Sequence, residues 1–286
     1  MPKAKEPHQN TKPRPFIKWV GGKRQLLDMI DVFKPESFGT YFEPFVGGGS
    51  VLFHLLPEHA IIGDTNGDLI RCYQAVKDHP VELIDELSLF QKGKNAFYAV
   101  RNVDRDRDIF ESFGDIQRAA RLIYLNKTCF NGYYRVNGSG FFNTPFAGTP
   151  RYVDIVNEDV ILADHDYLFG KHIQIIRGDF ALAVAGAVAG DFVYFDPPYH
   201  VEGKEKAFNG YGMHPFDEDE QKRLAALCVE LTNRGVYVMV SNSSTDFIRD
   251  LYPEPMFKIA TILASRSINS KIEKRGDVEE FLITNY

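Results

Sequence analysis

The chain has 286 residues, of which 44% are hydrophobic and 25% are charged, a composition typical of globular proteins that fold in water. It lacks any run of about 18 apolar residues, and its polar, proline-rich residues 1–15 have no apolar signal-peptide core, so we expect a cytoplasmic protein and no membrane contact. The length suits one large domain or two modest ones.

The net charge of −6 is unevenly distributed along the chain. Residues 1–24 carry seven basic residues and one acid, residues 91–135 carry nine and five, and residues 264–275 carry four and one. A basic surface on an acidic body is compatible with a nucleic-acid partner, because binding depends on local potential. Scattered, solvated charges explain the same counts about equally well.

The three cysteines, Cys72, Cys129 and Cys228, are far apart and match no zinc-binding spacing. We interpret them as small buried hydrophobic residues and expect no metal site.

Short apolar runs bounded by polar residues predict five buried strands, at 40–45, 60–64, 172–179, 191–196 and 235–242. A helix is predicted at 218–233, where acids open an apolar pattern of helical period and Gly235 follows as a stop signal. Strands that alternate with helices are typical of a doubly wound, mostly parallel α/β sheet.

Two further runs, at 257–262 and 279–286, have no helical pattern between them. They predict an antiparallel pair at the edge of the sheet, which would then have seven strands.

Residues 67–155 interrupt this alternation. The part from 68 to 125 has a largely helical pattern, and residues 128–152 are rich in glycine, asparagine and aromatic residues. Asn137-Gly138 favours a hairpin there. We therefore divide the chain into a catalytic domain, formed by 1–66 and 156–286, and a mostly helical insertion at 67–155.

Residues 42–56, "FEPFVGGGSVLFHLL", read as a strand, a glycine turn and a helix. Asp64 ends the following strand, where an acid is well placed to accept hydrogen bonds from ribose hydroxyls. This order is moderately specific for a cofactor that contains a nucleoside. Leu52 stands where dinucleotide-binding enzymes have their third glycine, which favours S-adenosylmethionine over NAD.

A second glycine turn lies in "FIKWVGGKRQLL" at 16–27, which contains Trp19, the only tryptophan. Lys23 follows this turn at the predicted start of a helix, where the helix dipole mildly disfavours a cation. An anionic partner, such as the carboxylate of a methionine moiety, would explain it. A packed tryptophan and a solvated lysine explain the stretch equally well.

The strand at 191–196 ends in Asp196-Pro197-Pro198-Tyr199. Ligands of open α/β sheets bind at such carboxyl ends of strands. The Asp196 carboxylate and the rigid Pro197 carbonyl could accept both N–H groups of an adenine amine and activate its nitrogen, while Tyr199 could stack on the base. Alone, the four residues could equally be a turn that terminates the strand; beside both glycine turns, the catalytic interpretation is strongly favoured.

Taken together, "FIKWVGGKRQLL", "YFEPFVGGGSVLF", "NKTCFNGYYRVN", "FDPPY", "VMVSNSS" and "EEFLITNY" give the chain a specific resemblance from Phe16 onward. It resembles the Dam-type DNA adenine N6-methyltransferases (D12 class, alpha group), and within them most closely the methylase of the DpnII restriction system. The resemblance implies a methyltransferase sheet, an insertion that reads DNA, and transfer of a methyl group from S-adenosylmethionine to an adenine in double-stranded DNA.

Carried over by position, the resemblance implies which residues contact the cofactor. They are Trp19, Lys23, Phe45, Gly47, Gly49, Asp64, Asp179, Phe180 and Asp196. Asp196, Pro197, Pro198 and Tyr199 form the implied catalytic turn, which requires the target adenine to be flipped out of the duplex.

In the insertion, Arg135 falls where family members place an arginine on the guanine that precedes the target adenine. We expect the site to be GATC, although a longer site such as GATATC begins with the same guanine. Bidentate contact of arginine with guanine is the commonest specific contact in the major groove. The implied neighbours at the DNA are Lys18, Phe130, Asn131, Tyr133 and Asn137. The chain departs from the family pattern at 145–152 and 200–216, which bears on the recognition sequence.

Several alternatives stay open at this point: a longer DNA site such as GATATC, an RNA base or a glutamine amide as the methyl acceptor, a DNA-binding module with a decayed cofactor site, and a nicotinamide-dependent dehydrogenase. The sequence leaves the oligomeric state between a monomer and a weak dimer. It does not separate a restriction-associated, a phage-borne and a housekeeping enzyme.

Overall fold

A computed structural model describes residues 11–19, 21, 26–148, 154–201, 216–265 and 277–286. The helices are α1 (Leu27–Phe33), α2 (Leu52–Leu55), α3 (Gly67–Asp78), α4 (Pro80–Ser88), α5 (Lys94–Asn102), α6 (Arg107–Ser112), α7 (Asp115–Thr128), α8 (Glu158–Gly170), α9 (Phe180–Ala183), α10 (Glu218–Asn233) and α11 (Asp246–Leu251). The strands are β1 (Tyr41–Glu43), β2 (His59–Asp64), β3 (His172–Arg177), β4 (Phe192–Phe195), β5 (Tyr237–Ser243), β6 (Lys258–Ser265) and β7 (Asp277–Thr284).

The seven strands form one sheet in the order β3-β2-β1-β4-β5-β7-β6. β1 runs parallel to β2 and β4, and β4 runs parallel to β5, whereas β7 is antiparallel to both β5 and β6. The predicted doubly wound, mostly parallel seven-stranded sheet and its antiparallel edge pair are confirmed. This topology brings the ends of β1, β2, β4 and β5 to one edge of the sheet, where α/β proteins bind ligands.

The chain divides into two compact units. The first comprises residues 1–22, 47–56 and 66–175, and the second comprises residues 23–46, 57–65 and 176–286. The boundary between these units differs from the predicted boundary between the catalytic domain and the insertion. The predicted catalytic domain includes α8, but α8 packs against α3 and α4 in the first unit. The division into a catalytic domain and a DNA-reading insertion at 67–155 is a division by function, and it stays a prediction.

The second unit is built on α10 and six of the seven strands, β1, β2 and β4 to β7. Asp217 caps α10 by accepting hydrogen bonds from the backbone N–H groups of Asp219 and Glu220, and three acids in the first turn complement the helix dipole. The apolar face of α10, with Leu224, Cys228 and Leu231, packs on buried residues of β4, β5 and β7. The bounds predicted for this helix, 218–233, are confirmed.

The first unit is mostly helical, as predicted for 68–125. α7 lies at its centre and packs against α3, α4 and α5, so that residues 119 to 126 are all buried. The predicted hairpin is confirmed by an antiparallel bridge between Val136 and Phe142 and by the hydrogen bond from Asn137 N to Phe141 O, 2.9 Å. All three cysteines are buried, as expected, and burial raises the pKa of the Cys129 thiol to about 12.

Among the helices of the described residues, none is long and apolar enough to cross a membrane.

Asp164 is a buried acid in α8 with no exposed surface. Its Oδ1 accepts a hydrogen bond from the backbone N–H of Arg14, 2.9 Å. Burial raises the pKa of this carboxyl to about 8, against the opposing effects of Arg14 and Lys127. An aspartate in an unfolded chain has a pKa of about 3.9. Between about pH 4 and about pH 8, Asp164 is therefore protonated in the folded chain and ionised in the unfolded chain.

Because folding takes up this proton, Asp164 should make the free energy of unfolding fall as the pH rises from about 4 to about 8. Asp164→Asn removes the titration, so the variant is expected to gain stability relative to the native chain over this range. Urea unfolding at about pH 5 and about pH 8 measures the difference. The exposed neighbour Asp166, changed to Asn, is the control, and a gap between Asp164→Asn and the native chain that is the same at both pH values would contradict the assignment.

Candidate active site

Asp196 lies at the carboxyl end of β4, directly after four fully buried residues. It is half-buried, Pro197 after it is buried, and Tyr199 is half-buried. The two prolines end the strand because neither can donate a backbone hydrogen bond. The carboxylate is therefore held at the ligand-binding edge of the sheet by a rigid turn.

A buried hydroxyl on the neighbouring strand orients Asp196. Ser241 Oγ, on β5, donates to Asp196 Oδ1 at 2.9 Å, and the Tyr194 hydroxyl of β4 lies 3.0 Å from the same Ser241 Oγ. Ser241 and Tyr194 are both completely buried. Charge-assisted hydrogen bonds of this kind are stronger than neutral ones, so the pair restricts the rotation of the carboxylate.

The backbone of the turn is fixed by two buried side-chain amides. Gln221 of α10 donates from Nε2 to the Pro198 carbonyl at 2.8 Å, and its Oε1 accepts from Asn242 Nδ2 at 2.9 Å. Asn242 Oδ1 in turn accepts the backbone N–H of His200 at 3.1 Å. Gln221 is 1% exposed and Asn242 is fully buried. The turn is thus tied to both α10 and β5, which makes it rigid on both sides of Tyr199.

The Tyr199 hydroxyl donates to Glu280 Oε2 of β7 at 2.9 Å. Burial, and then the negative charges of Asp196 and Glu280, raise the pKa of Tyr199 well above its usual value. Burial, and then the negative charges of Asp196, Glu43 and Glu280, also raise the pKa of Tyr194. Several carboxylates therefore surround these two phenols, and both phenols stay protonated at neutral pH.

The ends of the next strands add two more acids. Glu43, at the end of β1, is 3% exposed and accepts a hydrogen bond from the Tyr41 hydroxyl at 3.0 Å. Asp64 ends β2, and its carbonyl accepts from the N–H of Gly178 at 3.1 Å. Three neighbouring strands, β2, β1 and β4, thus carry a carboxylate where they end. This edge of the sheet fits a ligand that donates hydrogen bonds and carries positive charge.

Phe45 and Phe180 stack with ring centroids 5.4 Å apart, and Phe195 and Phe216 contact both rings. Phe180 is 3% exposed, and the Arg223 guanidinium lies 4.0 Å from its ring centroid. The four phenylalanines form an apolar wall in the second unit.

Asp179 is engaged by its own neighbours. It accepts two hydrogen bonds from Arg223, at 2.9 and 2.6 Å, and one from the N–H of Ala181. The bonds from Arg223 lower the pKa of Asp179. Asp179 therefore stays ionised and fixes the start of α9; whether it and Phe180 border the cofactor stays a prediction.

In the first unit, the glycine turn and Trp19 are packed together. Gly47 and Gly49 have φ values of +49° and +71°. A Cβ on Gly47 would lie 2.9 Å from Trp19 Cδ1, and one on Gly49 would lie 2.6 Å from the Tyr73 hydroxyl. The turn therefore requires glycine for both its conformation and its contacts. Lys23 lies outside the described residues.

Asn126 of α7 joins two of the predicted DNA-contacting segments. Its Oδ1 accepts the N–H of Lys18 at 3.0 Å, and its Nδ2 donates to the carbonyls of Lys18 and Gly132 at 2.7 and 2.8 Å. Phe130 and Asn131, beside Gly132, are exposed. The structure thus brings Lys18, Phe130, Asn131 and the half-buried Tyr133 into one region of the first unit.

Arg135 is exposed on the first strand of the hairpin. Its Nε donates to Asn143 Oδ1 at 2.6 Å, and its carbonyl accepts the N–H of Asn143 at 2.9 Å. Asn143 therefore supports the guanidinium from the opposite strand. Asn137 serves the turn itself, since its Oδ1 accepts the N–H groups of Ser139 and Phe141, both at 3.0 Å.

Sequence reasoning did not single out the residues that support the site, which are Ser241, Gln221, Asn242, Glu280, Asn126 and Asn143. One signal was available for the first: "SNS" interrupts the apolar pattern at the end of β5. The departures noted at 200–216 and 145–152 fall mostly on residues outside the described ones.

The comparisons with known proteins agree with this geometry. Residues 19–268 match the D12 class N6 adenine-specific DNA methyltransferases. The chain belongs to this family. It is an adenine-specific DNA methyltransferase with a DNA substrate, as the resemblance predicted.

The chain is 42% identical to type II methyltransferase M1.LlaDCHI of Lactococcus lactis subsp. cremoris, covering 96% of this chain and 95% of that protein. It is 39% identical to type II methyltransferase M.MjaIII of Methanocaldococcus jannaschii (96% and 99%) and 30% identical to the DNA adenine methylase of Haemophilus influenzae (98% and 96%). Particular closeness to the DpnII methylase stays a prediction.

Ser241→Ala is expected to lower the rate of adenine methylation about tenfold or more, because a hydrogen bond to a charged group contributes about 1.5–3 kcal/mol. The measurement is kcat on unmethylated plasmid DNA, with thermal unfolding to show that the variant is folded. Ser244→Ala is the matched control, since Ser244 is half-buried and bonds only the Glu279 carbonyl among the described hydrogen bonds. Native activity in Ser241→Ala would show that Asp196 needs no such support.

Proposed function

We propose that the chain transfers a methyl group from S-adenosylmethionine to N6 of an adenine flipped out of double-stranded DNA, within the sequence GATC. The observation that carries this proposal is the catalytic turn: Asp196 is held by Ser241 at the end of β4, beside the ring of Tyr199. A hydrogen-bond acceptor and an aromatic ring held in this way can bind the amino group and the ring face of a planar base.

The residues of this chain suit S-adenosylmethionine. Asp64 would accept hydrogen bonds from the ribose hydroxyls, and Trp19 with the turn at Gly47 and Gly49 would form the surface beneath the nucleoside. Lys23 would pair with the carboxylate of the methionine part. When bound, the cofactor supplies an electrophilic methyl group on a positively charged sulfur, and the acidic strand ends favour that charge.

Asp196 and Pro197 act on the amine of the substrate base. The Asp196 carboxylate accepts one N–H of the adenine amine, and the Pro197 carbonyl accepts the other. Two acceptors on opposite sides draw the nitrogen toward tetrahedral geometry, which withdraws its lone pair from the ring and makes it a nucleophile. Because Ser241 and Gln221 already hold the turn, the acceptors stabilise the positive charge that develops on nitrogen without first reorganising.

The target adenine has to leave the duplex to reach this turn, because its N6 is paired inside the helix. Tyr199 offers its ring face to the flipped base, and stacking of this kind contributes about 1–3 kcal/mol. Phe130, which is 51% exposed on the loop beside Lys18, is suited to fill the space that the base leaves.

Arg135 is suited to recognise the first guanine of GATC, a base that GATATC shares. Its Nε is bonded to Asn143, and the two terminal nitrogens of a guanidinium can donate together to O6 and N7 of guanine. We assign this contact to the guanine that precedes the target adenine.

The proposal is tested by incubating the protein with tritiated S-adenosylmethionine and duplexes that contain GATC, GATATC or neither, beside an Asp196→Ala variant. Label in the GATC duplex alone, and none with the variant, is expected. Label in GATATC alone would keep the chemistry and move the specificity to the longer site. Equal label in all three duplexes, or full label with Asp196→Ala, would contradict the proposal.

Arg135→Ala is expected to reduce discrimination between GATC and AATC duplexes, because a bidentate contact with guanine contributes about 1–3 kcal/mol to base choice. The ratio of kcat/KM for the two duplexes should therefore fall about fivefold or more. Arg234→Ala is the matched control, since Arg234 follows α10 at the amino-terminal edge of the sheet and pairs with Glu230. An unchanged ratio in Arg135→Ala would remove Arg135 from the recognition of this base.

A further inference from the structure

Glu280 occupies a fixed position on the central antiparallel strand of the sheet. It lies opposite Ser243 of β5 on one side and Ile262 of β6 on the other. Its neighbour Glu279 is exposed, whereas Glu280 is half-buried and its carboxylate bonds the Tyr199 hydroxyl at 2.9 Å. A partly buried carboxylate is unfavourable unless it is hydrogen-bonded. The position of Glu280 therefore points to a role for its bond with Tyr199.

The bond to Glu280 restrains the ring of Tyr199, which the hydrogen bonds to the backbone of the turn do not reach. Gln221 and Asn242 hold the backbone on either side of this residue, at the Pro198 carbonyl and the His200 N–H. They do not restrict the rotation of the ring about its side-chain bonds. The hydroxyl is at the far end of the ring and also has a hydrogen bond with the Ser241 side chain. Its bond to Glu280, on a strand that is paired on both sides, adds a second point that holds the ring face in place.

Two features make Glu280 an effective anchor. Burial, and then the surrounding carboxylates, raise the pKa of the Tyr199 phenol, so it stays protonated and donates to Glu280. The anchor also lies on β7, whose place beside β5 is set by five paired residues, and β5 carries Ser241, which orients Asp196. The same two strands, β5 and β7, therefore position both the Tyr199 ring and the Asp196 carboxylate.

We propose that Glu280 is a positioning residue for methyl transfer: it holds the ring of Tyr199 in the orientation that stacks on the flipped adenine. This inference rests on the proposed function, since it assumes that Tyr199 contacts the base. Glu280 itself touches neither substrate nor cofactor and acts through the phenol alone.

A double-mutant cycle tests the proposal. The native protein, Glu280→Ala, Tyr199→Phe and the double variant are compared by the single-turnover rate of methylation of a duplex whose methylation by the native protein has been established. Each single variant is expected to be about tenfold or more slower than the native protein. The double variant should be no slower than Tyr199→Phe, because that change already removes the bond to Glu280. The cofactor affinity should not change, which separates the effect from general damage.

Glu280→Gln distinguishes the bond from the charge. Its carbonyl still accepts the phenol hydrogen bond, so its rate should stay within about threefold of the native rate. Glu279→Ala is the matched control on the same strand and should behave as the native protein. Additive losses in the double variant, a native rate in Glu280→Ala, or a Glu280→Gln variant as slow as Glu280→Ala would overturn the proposal.

A readout without DNA or cofactor separates this inference from the proposed function. Nuclear magnetic resonance of protein with ¹³C-labelled tyrosine rings, with the Tyr199 signal assigned from Tyr199→Phe, should show that signal shifted and broadened in Glu280→Ala but not in Glu279→Ala. An unchanged signal in Glu280→Ala would sink the anchoring role even if the native enzyme is active. Conversely, a native protein that labels no duplex would overturn the proposed function, while the shifted signal would still support the anchor.

Discussion

The parallel pairing of β1, β2, β4 and β5 is the constraint on which the site depends. Parallel strands end at the same edge of a sheet, so residues that follow them meet although they are far apart in the chain. Glu43, Asp64 and Asp196 are brought to this edge because β2, β1 and β4 are neighbours. A chain that ended these strands with apolar residues would keep the sheet and lose the acidic edge.

Supporting the catalytic turn requires buried polar groups, and the structure satisfies them almost entirely with one another. Tyr194, Ser241 and Asp196 form one series of hydrogen bonds, and Gln221, Asn242 and the turn backbone form another. Such networks rigidify a site when every member is bonded. The same reasoning explains why the apolar packing of α10 is interrupted at Gln221, the residue of its buried face that reaches the turn.

The sequence predicted the parts of this structure that depend on local pattern. The bounds of α10 follow from its cap, its first-turn acids and its apolar period, and the end of β4 follows from the apolar run before Asp196-Pro197. The supporting residues depend instead on which strands become neighbours. Ser241 reaches Asp196 only because β5 lies beside β4, and Glu280 reaches Tyr199 only because β7 pairs with β5 in one register. Similarly, Asn126 bonds Lys18 across 108 positions of the chain, a contact for which no local pattern exists.

The most direct test of the central claim, that this site methylates N6 of adenine in GATC, is to map modified bases at single-nucleotide resolution. The DNA would be a plasmid from cells that lack their own adenine methylase and express this chain. The account predicts N6-methyladenine at GATC sites on both strands, and none in cells that express Asp196→Ala. N4-methylcytosine, N6-methyladenine confined to other sequences, or an identical map with Asp196→Ala would contradict it.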